Sequence, residues 1–144
     1  MTNKKGFSLL ELLIVIVILI SLTLIAAPRL LDAAQIAKEG AIKSNVSAAA
    51  STVTTHLYVD AKEADQAASD AVDELNQANS ADDDTDDARN PFYPDEDAFV
   101  AAEIPDIGGQ VTLSGQEGEY KVLIKGWNQK ADTVVASKTV SADE

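Results

Sequence analysis

The chain contains no cysteine and a single histidine among its 144 residues. The first absence removes any disulfide framework and any thiol nucleophile, so the fold must hold by packing; it does not by itself assign a compartment. With His56 as the lone imidazole and no glycine-rich phosphate loop, catalysis has no foothold: nothing points to an enzyme, a cofactor or a metal. Basic residues are scarce, 11 against 24 acidic, for a net charge of −13. An exterior of that sign repels nucleic acid, so direct nucleic-acid binding is not expected. Charge of either sign is almost missing from residues 7–27, which are apolar apart from Glu11 near their start.

That run is 21 residues long and, as a helix, reaches about 31 Å, enough to cross a bilayer core. A carboxylate inside such a segment costs on the order of 2.5–3.5 kcal/mol, so Glu11 is expected to have a task that a plain anchor lacks. A removable secretory signal fits poorly, because its apolar core spans roughly 7–15 residues. Its cut would fall by Ala26-Ala27, directly before Pro28, with Ile25 a poor match to the small-residue pattern. Lys4 and Lys5 precede the run and place the N-terminus in the cytoplasm.

The string Gly6-Phe7-Ser8-Leu9-Leu10-Glu11 resembles the processing and assembly motif of bacterial type IV pilins and pseudopilins. The resemblance implies that a prepilin peptidase cuts between Gly6 and Phe7 and methylates the new Phe7 amine. It implies too that Glu11 pairs with the Phe7 amine of a neighbouring subunit. Pro28, at the far end of the apolar run, also resembles the family pattern; proline bends or opens a helix, and the family reading has residues 20–29 loosen in the filament. Ser21 and Thr23 are expected to satisfy backbone groups freed there.

The partners implied are prepilin peptidase, an inner-membrane assembly platform with a separate ATPase, membrane lipid before assembly, and further copies in a helical homo-oligomeric filament. The expected localisation is a single-pass inner-membrane precursor and then an extracellular pilus serving adhesion, twitching motility or DNA uptake. The alternatives are a pseudopilin of a type II secretion system and a minor pilin.

The expected fold is α+β: a long N-terminal helix packed on a small antiparallel sheet. Its parts are a leader (1–6), a transmembrane and assembly helix (7–29) and a head (30–144) that includes an acidic region (60–106) and a C-terminal sheet (108–140). The helix should run from about residue 8 to about 60. Leu31, Ile42, Val46, Val53 and Leu57 recur at mostly helical spacing with Ala49 and Ala50 bridging them, Lys38, Glu39 and Lys43 can face water, and Gly40 weakens the helix slightly. His56 lies on its outer part, solvent-facing or partly packed. Asn45-Val46-Ser47 fits a glycosylation pattern but falls within this helix, so it reads as incidental.

Residues 60–106 hold 16 of the 24 acidic residues against Lys62 and Arg89, a local balance of −14. Within them residues 63–79 read as a second helix with Ala71, Val72 and Leu75 inward. Asp82-Asp83-Asp84-Thr85-Asp86-Asp87 reads as a solvated loop. The best-known calcium loop would need Gly at 87 and Glu at 93, where this chain has Asp87 and Tyr93. Residues 110–113, 120–125 and 133–138 read as three antiparallel strands, with Tyr120, Val122 and Ile124 on one face and Lys121, Leu123 and Lys125 on the other. Trp127 is expected to shield a sheet edge. Many pilins close this region with a disulfide, which this chain cannot do.

Overall fold

A computed structural model describes residues 7–78, 89–116 and 118–142. The chain divides into two compact units, Met1–Ile36 and Ala37–Glu144. Helix α1, Leu9–Tyr58, supplies the described part of the first unit and one layer of the second. Its start is set by Ser8, whose hydroxyl accepts the Leu10 N–H at 3.3 Å while its carbonyl accepts from Leu12. A serine in this position satisfies donors that the first turn cannot pair internally. Within the first unit every described residue, 7–36, is exposed, including Leu31 at 73%. Leu31 therefore does not belong to the packing stripe expected of it.

In the second unit the buried residues of α1 are Ile42, Asn45, Val46, Ala49, Ala50, Val53, His56 and Leu57, a stripe at three- and four-residue spacing. Helix α2, Ala64–Ala78, buries Ala64, Ala67, Ala68, Ala71 and Val72, with Leu75 packed at the margin of the same cluster. The inward set thus contains Ala71, Val72 and Leu75 as expected, and alanine dominates it so that backbones approach closely. One such close approach to α2 is at Gly115, where an added Cβ would lie 2.2 Å from the Ala64 carbonyl.

The sheet has the order β1-β2-β3-β4, with β1 Phe99–Val100, β2 Val111–Gly115, β3 Lys121–Trp127 and β4 Val134–Ser141. The pairs β2·β3 and β3·β4 are antiparallel, as expected, but β1 pairs with β2 in parallel, so the sheet is mixed rather than purely antiparallel. A two-residue strand has no period to detect; it forms because Phe99 is fully buried and its neighbour Ala98 accepts the Val111 N–H at 2.8 Å. Val111, Leu113, Val122, Ile124 and Val140 join the apolar cluster from the strands. Gly126 lets β3 pass close to α1, since a Cβ there would sit 2.4 Å from Ile42 Cγ2.

Two further expectations need correcting. Tyr120 lies one residue before β3 and is exposed, so it does not share the inner face with Val122 and Ile124. Trp127 ends β3, which is flanked by β2 and β4, so it shields no sheet edge; its indole instead lies against Thr112.

Candidate functional site

The residues expected to form a leader, including Lys4, Lys5 and Gly6, fall outside the described part, as does the aspartate run 82–87. The site therefore begins at Phe7, which is 82% exposed ahead of the first turn of α1. Ser8 fixes where the helix starts, and this puts Glu11 in its first turn, next to unpaired N–H groups whose partial positive charge favours a carboxylate. The Ser8-x-x-Glu11 spacing is that of a helix N-terminus, a signal the family resemblance obscures. Among the described residues the Glu11 carboxylate has no hydrogen-bond or ion-pair partner, and it is exposed.

From Leu9 the helix is apolar around its whole circumference and long enough to cross a membrane. An uncovered surface of this kind needs lipid or other helices against it. Pro28 lies inside α1. Having no N–H, it leaves the carbonyl of residue 24 without its helical donor. Ser21 and Thr23 do not repair this: their hydroxyls donate to the carbonyls of Val17 and Leu19, each at 2.8 Å, in their own preceding turn. A serine or threonine side chain reaches back only three or four residues, so only a hydroxyl at position 27 or 28 could reach the carbonyl of residue 24.

A second polar cluster lies where α1 ends. His56 is only 8% exposed. Its Nδ1 lies 2.8 Å from Asp60 Oδ2 and its Nε2 lies 3.1 Å from Glu74 Oε2 of α2. Lys62 joins the same group through Asp70, at 2.8 Å; this hydrogen-bonded carboxylate holds the Lys62 ammonium above the usual lysine range. Partial packing of His56 was legible in the helical stripe, whereas its acidic partners, 4 and 18 residues away, were not.

The remaining polar interior is structural. Asn45 is 5% exposed and turns its amide toward the Arg89 carbonyl at 3.5 Å, so the sequon side chain faces inward with no room for a sugar. Asn90, fully buried, donates to the Gly108 carbonyl and accepts from the Phe92 and Tyr93 N–H groups. Lys38 covers the Phe92 ring at 4.9 Å and pins the same segment. A cleft of about 690 Å³ opens between α2 and β2, and its lining mixes Lys121 and Lys125 with Asp65, Glu103 and Glu119. Among the described residues no three acidic or histidine side chains converge as metal ligands.

No curated protein and no solved structure matches this chain. Residues 1–27 do match the prokaryotic N-terminal methylation motif, the class III signal of type IV pilins and pseudopilins, and this match supports a pilin- or pseudopilin-like precursor.

Proposed function

We propose that this protein is a structural subunit of a type IV pilus. Prepilin peptidase cleaves the precursor between Gly6 and Phe7 and methylates the Phe7 amine. The precursor sits in the inner membrane with its N-terminus in the cytoplasm, because Lys4 and Lys5 resist transfer across the bilayer. The observation that carries the reading is an exposed apolar helix bearing one unpartnered carboxylate in its first turn. A carboxylate in lipid, or in a bundle of apolar helices, strongly favours a cationic partner. The amine created at Phe7 of a neighbouring subunit supplies one, and the pair rewards only the register that brings the two together.

Pro28 supports the same reading. The missing hydrogen bond near residue 24 is a built-in weak point, where the helix bends or loosens when subunits pack. The motif points to a structural protein rather than a catalyst.

The test is mass spectrometry of sheared surface filaments. An abundant N-methylated peptide beginning at Phe7 supports a pilus subunit. The same processed peptide confined to the cell envelope would assign the protein to a secretion pseudopilin or a minor pilin. An intact N-terminus in mature membranes would overturn the assignment altogether.

A further inference from the structure

The turn between α1 and α2 is held in a conformation its residues do not favour. Ala61 has φ +52°, the left-handed region that a Cβ disfavours by roughly 1–2 kcal/mol. The Lys62 N–H nonetheless reaches back to the His56 carbonyl at 3.1 Å, and the Asp60 N–H to the Thr55 carbonyl at 3.3 Å. These backbone bonds close the turn, as at other helix C-termini, and the His56 side chain is placed to brace it further.

The groups facing the ring are Asp60 and Lys62 from the turn and Glu74 from α2. A carboxylate offers only lone pairs, and a neutral imidazole has a single N–H. The imidazolium alone donates to Asp60 and Glu74 together, and both bonds are then charge-assisted. A neutral ring satisfies one of them and sets a lone pair against the other carboxylate. Lys62 Nζ, 3.5 Å from Nδ1 and 3.8 Å from Asp60 Oδ2, stands ready to donate to a neutral Nδ1 in place of the Asp60 contact. Lys62 is meanwhile tethered to Asp70.

We infer that His56 is a proton-operated clamp on the α1–α2 turn: protonated, it ties Asp60 to Glu74 and holds Ala61 in its left-handed conformation, and neutral, it yields Nδ1 to Lys62 and releases Asp60. Glu74 stays bonded through Nε2 in both states, so the change is confined to the turn and the start of α2. The clamp requires a charged ring beside ionised carboxylates. A ring that gives up its proton gives up one of its two donors, so the turn loosens as pH rises.

The test uses the full chain in detergent micelles, with amide hydrogen exchange read as protection factors at about pH 5.5 and about pH 8.5, on either side of the imidazole range. The expected result is a protection factor at the Lys62 amide about threefold lower at the higher pH, on the scale of one partly exposed ion pair. Ile124 in the core should show no such step. His56→Gln should abolish the step, and Ala61→Gly, which removes the strain, should shrink it. If His56→Gln does not fold, Asp60→Asn serves instead and must also abolish it. A wild-type protein with no step, or a step that survives unchanged in His56→Gln or Asp60→Asn, overturns the clamp.

Discussion

The indole N–H of Trp127 donates to Thr112 Oγ1 at 3.0 Å, across the β2·β3 pair. Thr112 is buried, and the Trp127 ring in turn carries Lys125 Nζ 6.0 Å from its centre. The bond is diagonal in the ladder, because Thr112 pairs directly with Lys125. It closes the end of the sheet and gives a polar atom on a buried residue a donor. Trp127→Phe removes that donor while keeping an aromatic ring, and should lower stability by about 1–2 kcal/mol. Pairing it with Thr112→Val in a double-mutant cycle should recover part of the loss. Additive effects, measured by thermal unfolding, would show that the bond contributes nothing.

Two glycines should respond in opposite directions to alanine. At Gly126 a Cβ falls 2.4 Å from Ile42 Cγ2 and 2.9 Å from Val46 Cγ2. Gly126→Ala should therefore destabilise by about 1–3 kcal/mol, and Ile42→Ala, which removes the clashing Cγ2, should ease the clash at the expense of a cavity. At Gly40, within α1, a Cβ meets nothing within 4 Å. Gly40→Ala should stabilise by roughly 0.5–1 kcal/mol through helix propensity alone. Denaturation midpoints of the two variants check the pair.

Removing the charge at Glu11 separates membrane insertion from assembly. Glu11→Ala and Glu11→Val should insert at least as well as the parent, because a costly carboxylate leaves the apolar segment. If the proposed pair forms, filament yield should collapse, because removing one partner of a buried pair costs roughly 3–5 kcal/mol. Membrane fractionation and filament counts give the two readouts. Normal filament yield would remove the pairing from the mechanism.

The β3–β4 turn should loosen only in strong acid. The Asn128 amide, 2.7 Å from Asp132 Oδ1, and then the Thr133 hydroxyl at 2.9 Å hold the Asp132 carboxyl below the usual carboxylate range. A depressed value means that the ionised form belongs to the folded turn. Its contribution is present above the ordinary carboxylate range and is lost as pH falls through the lowered one. Amide shifts of residues 128–133, followed from neutral pH downward, should move with a midpoint below the ordinary carboxylate range. Asn128→Ala should raise that midpoint and disorder the turn already at neutral pH, because Asn128 Oδ1 also accepts the Lys130 and Asp132 N–H groups.

Much of the local architecture was legible in the residues themselves, because its causes are local. An apolar run with a single carboxylate near its start and long enough to cross a bilayer, a serine ahead of that carboxylate, and a stripe at helical spacing specify α1 within a few residues of its observed ends. The alanine-rich period specifies α2, and alternation specifies the three longer strands. The methylation motif within residues 1–27 was legible for another reason, a short string whose order alone carries the resemblance.

Only the tertiary structure decided which polar groups meet. The closeness of His56 and Glu74 depends on α2 folding back beside α1, and that of Asn90 and Gly108 on where β1 enters the sheet. Strand β1 itself exists because a buried Phe99 beside an unpaired edge of β2 is more favourable than the same residues in water, an advantage no two-residue pattern announces. Period and hydrophobicity are properties of neighbours along the chain, so sequence determined the elements and the membrane-competent helix. Desolvated polar groups must find partners wherever the fold brings them, so packing alone decided the His56 clamp, the inward Asn45 and the Trp127–Thr112 bond.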